Sequence, residues 1–292
     1  MSYRYVGGEL EIFAAAEIGL GMAFNPRFST NYLPKHAQNR MASEGNLVRA
    51  RMDFDSKKMN NLQFLLRKRY EWMNEFIRND DIVIEIGAGA GLSKCFIDHK
   101  NLIATDVSPY PWIDLCIDAL DLPFGAKTID VIICVNVIHH LATPIKFLLD
   151  AHRCLKNGGY LLLLETNPSL LMLLALRIMR HEGWSFDCAV FDPASCANDP
   201  ADPWSGNNAI SHLLFGDKRL FERNLPGYEI ARDVFSECML FPLSGGVTAK
   251  TRTVELPNSV LSIVDRIDSF LCRVAPTMFA MARSVALRKK AR

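Results

Sequence analysis

The sequence predicts an α/β protein built on a mostly parallel, doubly wound sheet with helices on both faces. Three observations carry that expectation. An apolar run, Ile82-Val83-Ile84-Glu85-Ile86, feeds directly into the glycine-rich stretch Gly87-Ala88-Gly89-Ala90-Gly91. From there to Glu165, short apolar stretches ending in polar residues alternate with loops and helical patterns. Asp130 to Leu141 is hydrophobic for most of its length, as a central strand covered on both faces should be. Strands and helices in this rhythm give a parallel sheet whose ligands lie at the carboxyl ends of its strands.

Taken in order, residues 1–55 read as an N-terminal extension or flap. Within it, Gly8 to Ala16 suggests a short helix, followed by loop-like Gly-, Pro- and Asn-rich pieces. Phe13, Phe24, Phe28 and Tyr32 are more apolar material than a disordered tail carries, which favours a flap. From Ser56 to Arg78, Leu62, Leu65, Leu66, Tyr70, Met73 and Phe76 recur at helical spacing. The first strand and its glycine loop follow, and Leu92 to Asp98 reads as a helix opening at that loop. Asn101 to Asp106 is a second strand ending in an acid, and Ile113 to Asp118 is a third. The fourth strand, Asp130 to Leu141, ends in Asn136, His139 and His140. A helix from Pro144 to Leu155 stops at Lys156-Asn157-Gly158-Gly159, and Tyr160 to Glu165 is the fifth strand. Residues 166–225 hold an apolar helix, Leu170 to Met179, then a Pro-, Asp- and Trp-rich segment long enough to be a lid. Tyr228 to Phe241 is a sixth strand, Val260 to Val274 a helix and Met278 to Leu287 a final strand.

The glycine spacing decides which ligand class the loop suits. Glycines there let the backbone take left-handed conformations and come close to a ligand. A dinucleotide fingerprint G-x-G-x-x-G starting at Gly87 needs glycine at position 92, where Leu92 stands. No Gly-Lys-Ser/Thr follows, so the loop is not of the nucleoside-triphosphate type. Glu85-x-Gly87-x-Gly89-x-Gly91 instead resembles the first motif of the class I S-adenosylmethionine (SAM)-dependent methyltransferases. Thr105-Asp106-Val107-Ser108-Pro109, Asp118-Ala119, Asn136-Val137-Ile138-His139-His140 and Leu155-Lys156-Asn157-Gly158-Gly159 resemble a bacterial, type 11-like group of that family. Asn157 stands where that group usually has proline. The resemblance is strong over Ile82 to Glu165 and extends to pieces around Asp202-Pro203-Trp204 and Phe241-Pro242.

That resemblance implies a Rossmann-like, seven-stranded sheet with one antiparallel strand, taken to be Met278 to Leu287. It implies SAM as cofactor, with S-adenosylhomocysteine as product. The methyltransferase domain would occupy residues 56–292, with the lid inserted at about 166–225. Glu85, Gly87, Ala88, Gly89 and Gly91 would underlie the methionine part, and Asp118 and Ala119 would flank the adenine. Val107 and Asn136 complete the expected cofactor set. Asp106 has an independent reading: an acid at the tip of the second strand accepts hydrogen bonds from ribose hydroxyls. Methyl transfer needs alignment and exclusion of water more than covalent help. A hydroxyl acceptor needs a general base, which makes His139 and His140 the catalytic candidates; a buried, structural role for the pair stays open. Trp204, Asn207 and His212 in the lid are the candidate acceptor-binding residues, with Asp202 beside them. Glu165 reads either as lining the acceptor side or as capping a backbone group.

Composition narrows the partners. A net charge of +1 over 292 residues offers no concentrated basic face for nucleic acid. The eight cysteines show no C-x-x-C pair or metal-ligand spacing, which fits a reducing cytoplasm and no resident metal. Neither a signal peptide nor a transmembrane segment is read from the sequence, and a homo-oligomer stays open. The expected function is methyl transfer to an oxygen, less readily nitrogen or carbon, of a small-molecule, glycan or lipid-linked acceptor. The rival reading is a non-catalytic protein keeping the fold as a scaffold. A dinucleotide oxidoreductase ranks below both.

Overall fold

The computed structural model describes residues 2–6, 9–13, 31–32, 46–56, 59–179, 182–202, 204–248 and 251–291. Its centre is a seven-stranded sheet made from β4 (Val83–Ile86), β5 (Ile103–Asp106), β6 (Leu115–Cys116), β7 (Ile129–Val135), β8 (Leu155–Thr166), β10 (Tyr228–Ser236) and β11 (Ala282–Lys289). The strand order is β10-β11-β8-β7-β4-β5-β6. Only β11 runs against its neighbours, pairing antiparallel with β8 and β10, while β4, β5, β6, β7 and β8 pair in parallel. The mostly parallel sheet with one reversed strand is therefore present, and Met278–Leu287 marked that strand to within a few residues.

Both faces of the sheet are apolar because successive side chains along a strand point to opposite sides. Ile132, Cys134, Leu161 and Leu163 face one core with Phe147, Leu148 and Ala151. Those last three belong to the helix α3 (Pro144–Cys154), after α1 (Leu47–Ser56) and α2 (Asn60–Tyr70) in the chain. Val131, Ile133, Leu162 and Leu164 face the other core with Leu62, Leu66 and Tyr70 of α2. Further helices follow: α4 (Leu170–Met179), α5 (Ile210–Phe215), α6 (Lys218–Asn224), α7 (Leu240–Ser244), α8 (Asn258–Val274) and α9 (Pro276–Phe279). Small two-stranded pairings join β1 (Ser2–Val6) to β2 (Glu9–Phe13), and β3 (Asn31–Tyr32) to β9 (Trp184–Ser185).

Several local expectations are corrected. Glu9–Phe13 is a strand and not part of a helix, in keeping with the two-residue alternation of Glu9-Leu10-Glu11-Ile12. The helix expected over Leu92–Asp98 shrinks to a 3-10 turn at Ser93–Cys95. Asn74 diverts the chain there: its side chain donates to the Phe96 carbonyl at 3.1 Å and accepts from the Asp98 amide at 2.9 Å. The Ser56–Arg78 helix is split into α2 and a 3-10 segment, Glu71–Phe76. α1 ends where that helix was expected to begin, so the division at residue 55 falls inside an element. The fourth strand stops at Val135, since Asn136 turns left-handed at φ +55° and Ile138–His140 forms a 3-10 turn. Lys156–Gly159 lies within β8. The lid segment carries α5 as well as irregular chain. Of the aromatics invoked for a flap, Phe24 and Phe28 lie outside the described residues. Tyr32 is described, packed against Trp184 at a ring separation of 4.9 Å.

One ion pair links the helical layer to the end of β10. Arg69 of α2 donates through two nitrogens to Glu237 at 2.8 and 2.6 Å, and both side chains are 6% exposed. A buried pair of this kind contributes little net stability, but removing one partner strands a charge at a cost of about 3–5 kcal/mol. Arg69→Met should therefore lower the unfolding free energy by about that amount in urea titrations, whereas the double change Arg69→Met/Glu237→Leu should recover most of it.

Candidate functional site

β4 delivers the chain into the glycine loop at the carboxyl edge of the sheet. Gly87, Gly89 and Gly91 all have positive φ, between +54° and +68°. At Gly87 a side chain is doubly excluded: beyond the φ of +68°, a Cβ would lie 2.6 Å from Val137 Cγ2. The loop is tied to its neighbours by the Ala88 amide donating to the Thr105 carbonyl at 2.8 Å and by Trp112 donating to the Gly89 carbonyl at 2.8 Å. Asp106, at the tip of β5, accepts from the Gly89 amide at 2.9 Å and the Ser108 amide at 3.0 Å. The carboxylate is thus held at the loop's rim. Asp118 follows β6 and accepts from the Leu120 amide at 2.8 Å, which closes the turn carrying Ala119.

Beyond β7 the polar trio of the fourth strand meets residues from β8 and the lid. Glu165 accepts from the Val137 and Ile138 amides at 2.8 Å each and faces His139 Nδ1 at 2.5 Å. It does cap backbone groups, and it orients a histidine as well. His140 Nδ1 faces the Ser205 carbonyl at 3.0 Å. With Nδ1 of each ring directed at an acceptor, Nε2 is the nitrogen each ring turns elsewhere. Both Nε2 atoms face Glu182, at 3.6 Å from His139 and 3.7 Å from His140. The two rings lie 4.1 Å apart. Burial, followed by the neighbouring His139, lowers the His140 pKa to about 4, so this ring is neutral near pH 7.

A cavity of about 480 Å³ joins these parts, a size suited to a small-molecule ligand. Gly87, Ala88, Gly89, Asp106, Val107, Asp118, Ala119 and Asn136 line it. His139, His140 and Trp204 line it too, with Trp204 edge-on to His140 at 6.3 Å. Four expected site residues lie outside the lining. Glu85 is buried beneath the loop, bonded to Ser93 and, at 3.3 Å, to Tyr70. Gly91 sits behind the loop, where its carbonyl accepts from Arg51 at 3.2 Å. Asn207 is buried and staples the lid, accepting from the Ser185 amide at 2.8 Å and the Ala209 amide at 3.1 Å. His212 packs edge-on to Phe186, and burial lowers its pKa.

Residues that sequence reasoning passed over also reach the cavity: Leu47 of α1, Arg69 and Tyr70 of α2, and Glu182 and Asp199 of the lid. Amphipathic spacing marked Tyr70 only as core, and no motif marks Glu182. The bare backbone of the glycine loop, an acid held at its rim and a second acid on the adjoining turn share one cavity.

Residues 84–163, from the first strand into the fifth, match the family model described as "Methyltransferase domain". An uncharacterised protein of Methanocaldococcus jannaschii is 28% identical over 134 residues, or 44% of this chain. The match spans 57% of that relative's length. Among solved structures, a SAM-dependent methyltransferase from Archaeoglobus fulgidus aligns at 16% identity, covering 77% of this chain and 93% of its own, with a TM-score of 0.47. A putative methyltransferase from Bacillus halodurans aligns at 15% identity, covering 74% and 95%, with a TM-score of 0.43.

The buried carboxyl beneath the loop gives the protein a pH signature. Desolvation raises the Glu85 pKa from 4.5 to about 7, against the hydrogen bonds from Ser93 and Tyr70 that favour the charged form. The folded protein holds this proton more tightly than the unfolded chain. The group therefore favours folding most below about pH 4.5, and that contribution is lost as pH rises through about 7. Its size is on the order of 3 kcal/mol, at 1.36 kcal/mol per pKa unit. In Glu85→Gln, unfolding free energy measured from pH 5 to 8 should fall less steeply with pH than in the unsubstituted protein.

Proposed function

We propose that this chain, which carries a class I methyltransferase domain whose cofactor is SAM, transfers a methyl group to a hydroxyl oxygen. The acceptor is a partly apolar small molecule, glycan or lipid-linked precursor. The observation that carries the reading is one cavity shared by the glycine loop, two strand-tip acids and the histidine pair. In it the loop backbone cradles the aminoacyl tail, Asp106 takes the ribose hydroxyls, and Asp118 with Ala119 flanks the base. When bound, the cofactor supplies a methyl group already activated on a sulfonium.

The chain's own work is then alignment, exclusion of water and activation of the acceptor. Met172, Leu176 and Met179 form an apolar wall of the cavity, which supports a partly apolar acceptor. His139, His140 and Glu182 gather in its lining, where a hydroxyl would lose its proton. The eight cysteines are all free, which supports a reducing, cytoplasmic setting. Among the described residues, no helix is long and apolar enough to cross a membrane.

Titration calorimetry with S-adenosylhomocysteine tests the reading; no binding at millimolar ligand would end it. Asp106→Ala should weaken binding by about 1–3 kcal/mol, the cost of leaving ribose hydroxyls unpaired. A thermal melt of the variant separates that loss from loosening of the loop, because Asp106 also holds the Gly89 amide.

A further inference from the structure

We propose that His139, His140 and Glu182 form a binding site for a divalent first-row transition cation at the acceptor end of the cavity. The inference rests on the methyltransferase reading only for what the cation does, not for whether it binds. The nitrogens and a carboxylate oxygen of these three side chains lie within 4.8 Å of one another. Each Nε2 faces its own oxygen of Glu182, at 3.6 and 3.7 Å. Those separations are too long for hydrogen bonds. They run to different carboxylate oxygens, so a cation held at about 2.0–2.2 Å by both rings and one oxygen would draw the set, now within 4.8 Å, closer together.

The surroundings have the form of a metal site's outer layer. Metal-binding histidines direct their other ring nitrogen at a carboxylate or carbonyl, which fixes tautomer and orientation. Here Glu165 does so for His139 at 2.5 Å and the Ser205 carbonyl for His140 at 3.0 Å. Glu182 is fixed as well: Asn208 donates to it at 2.9 Å, and it packs so closely on Gly206 that a Cβ there would come within 2.8 Å of its carboxyl carbon. Two imidazoles and one carboxylate, with a position open to the cavity, match zinc best. A cation there would take the acceptor's hydroxyl oxygen as its next ligand and lower that hydroxyl's pKa, so that its proton passes to solvent.

The test uses the full chain, stripped with a chelator and dialysed against zinc, with bound metal counted by mass spectrometry. The expected result is about one zinc per chain. Glu182→Gln and His140→Ala should each weaken zinc binding by about 100-fold or more, since outer-layer changes alone cost 10–100-fold. No zinc on the unsubstituted chain, or equal zinc on all three proteins, would overturn the site. Calorimetry with S-adenosylhomocysteine on the same samples keeps the two ideas apart. Cofactor binding without zinc removes the cation site and leaves the methyltransferase reading standing. Zinc binding without cofactor binding does the reverse. Thermal melts and retained cofactor affinity in Glu182→Gln show that a zinc loss is not unfolding.

Discussion

One buried carboxylate holds the working end of this molecule together. Glu165, at the end of β8, accepts two successive amides of the turn after β7 and orients His139. Amides in a turn that has left its strand have no ladder partner, and burying them unpaired would be costly. By supplying both bonds, Glu165 allows the chain to leave the sheet abruptly at Asn136. That departure opens the space the cavity occupies. The same carboxylate sets the direction of an imidazole, so fold and chemistry share one anchor.

The charge balance around the cavity points the same way. Asp106, Asp118 and Asp199 line it, and Arg69, which also lines it, is matched by Glu237. Such a wall favours a cationic ligand, because partial burial strengthens electrostatic attraction. A sulfonium carries that charge before methyl transfer and its thioether product does not.

The sheet was legible because its signals are local. Apolar runs at Ile82–Ile84, Val131–Val135 and Tyr160–Leu164 mark buried parallel strands, and the acids at their neighbours' tips mark one rim. What could not be read depends on partners distant in the chain. Helical spacing after Gly91 lost to hydrogen bonds from Asn74, which end the turn at Phe96. Glu85 was grouped with the ligand shell because of its place in a motif. Strand alternation puts it beneath the loop, and only its contacts with Tyr70 and Ser93 reveal this. Glu182 lies far along the chain from the histidines, and it meets them only through the fold of the lid. Asn207 was expected at the acceptor as one of the lid's polar residues, yet its side chain is consumed in holding β9.

Residues 198 and 207 are tied to the turn that carries the histidine pair. The carbonyl of His139 accepts both the Asn207 amide at 2.9 Å and the Asn198 side chain at 2.7 Å. Peeling those residues away would strip both bonds from the very residue whose ring faces the cavity. The packing of this segment and the aim of the histidine therefore share a single backbone oxygen.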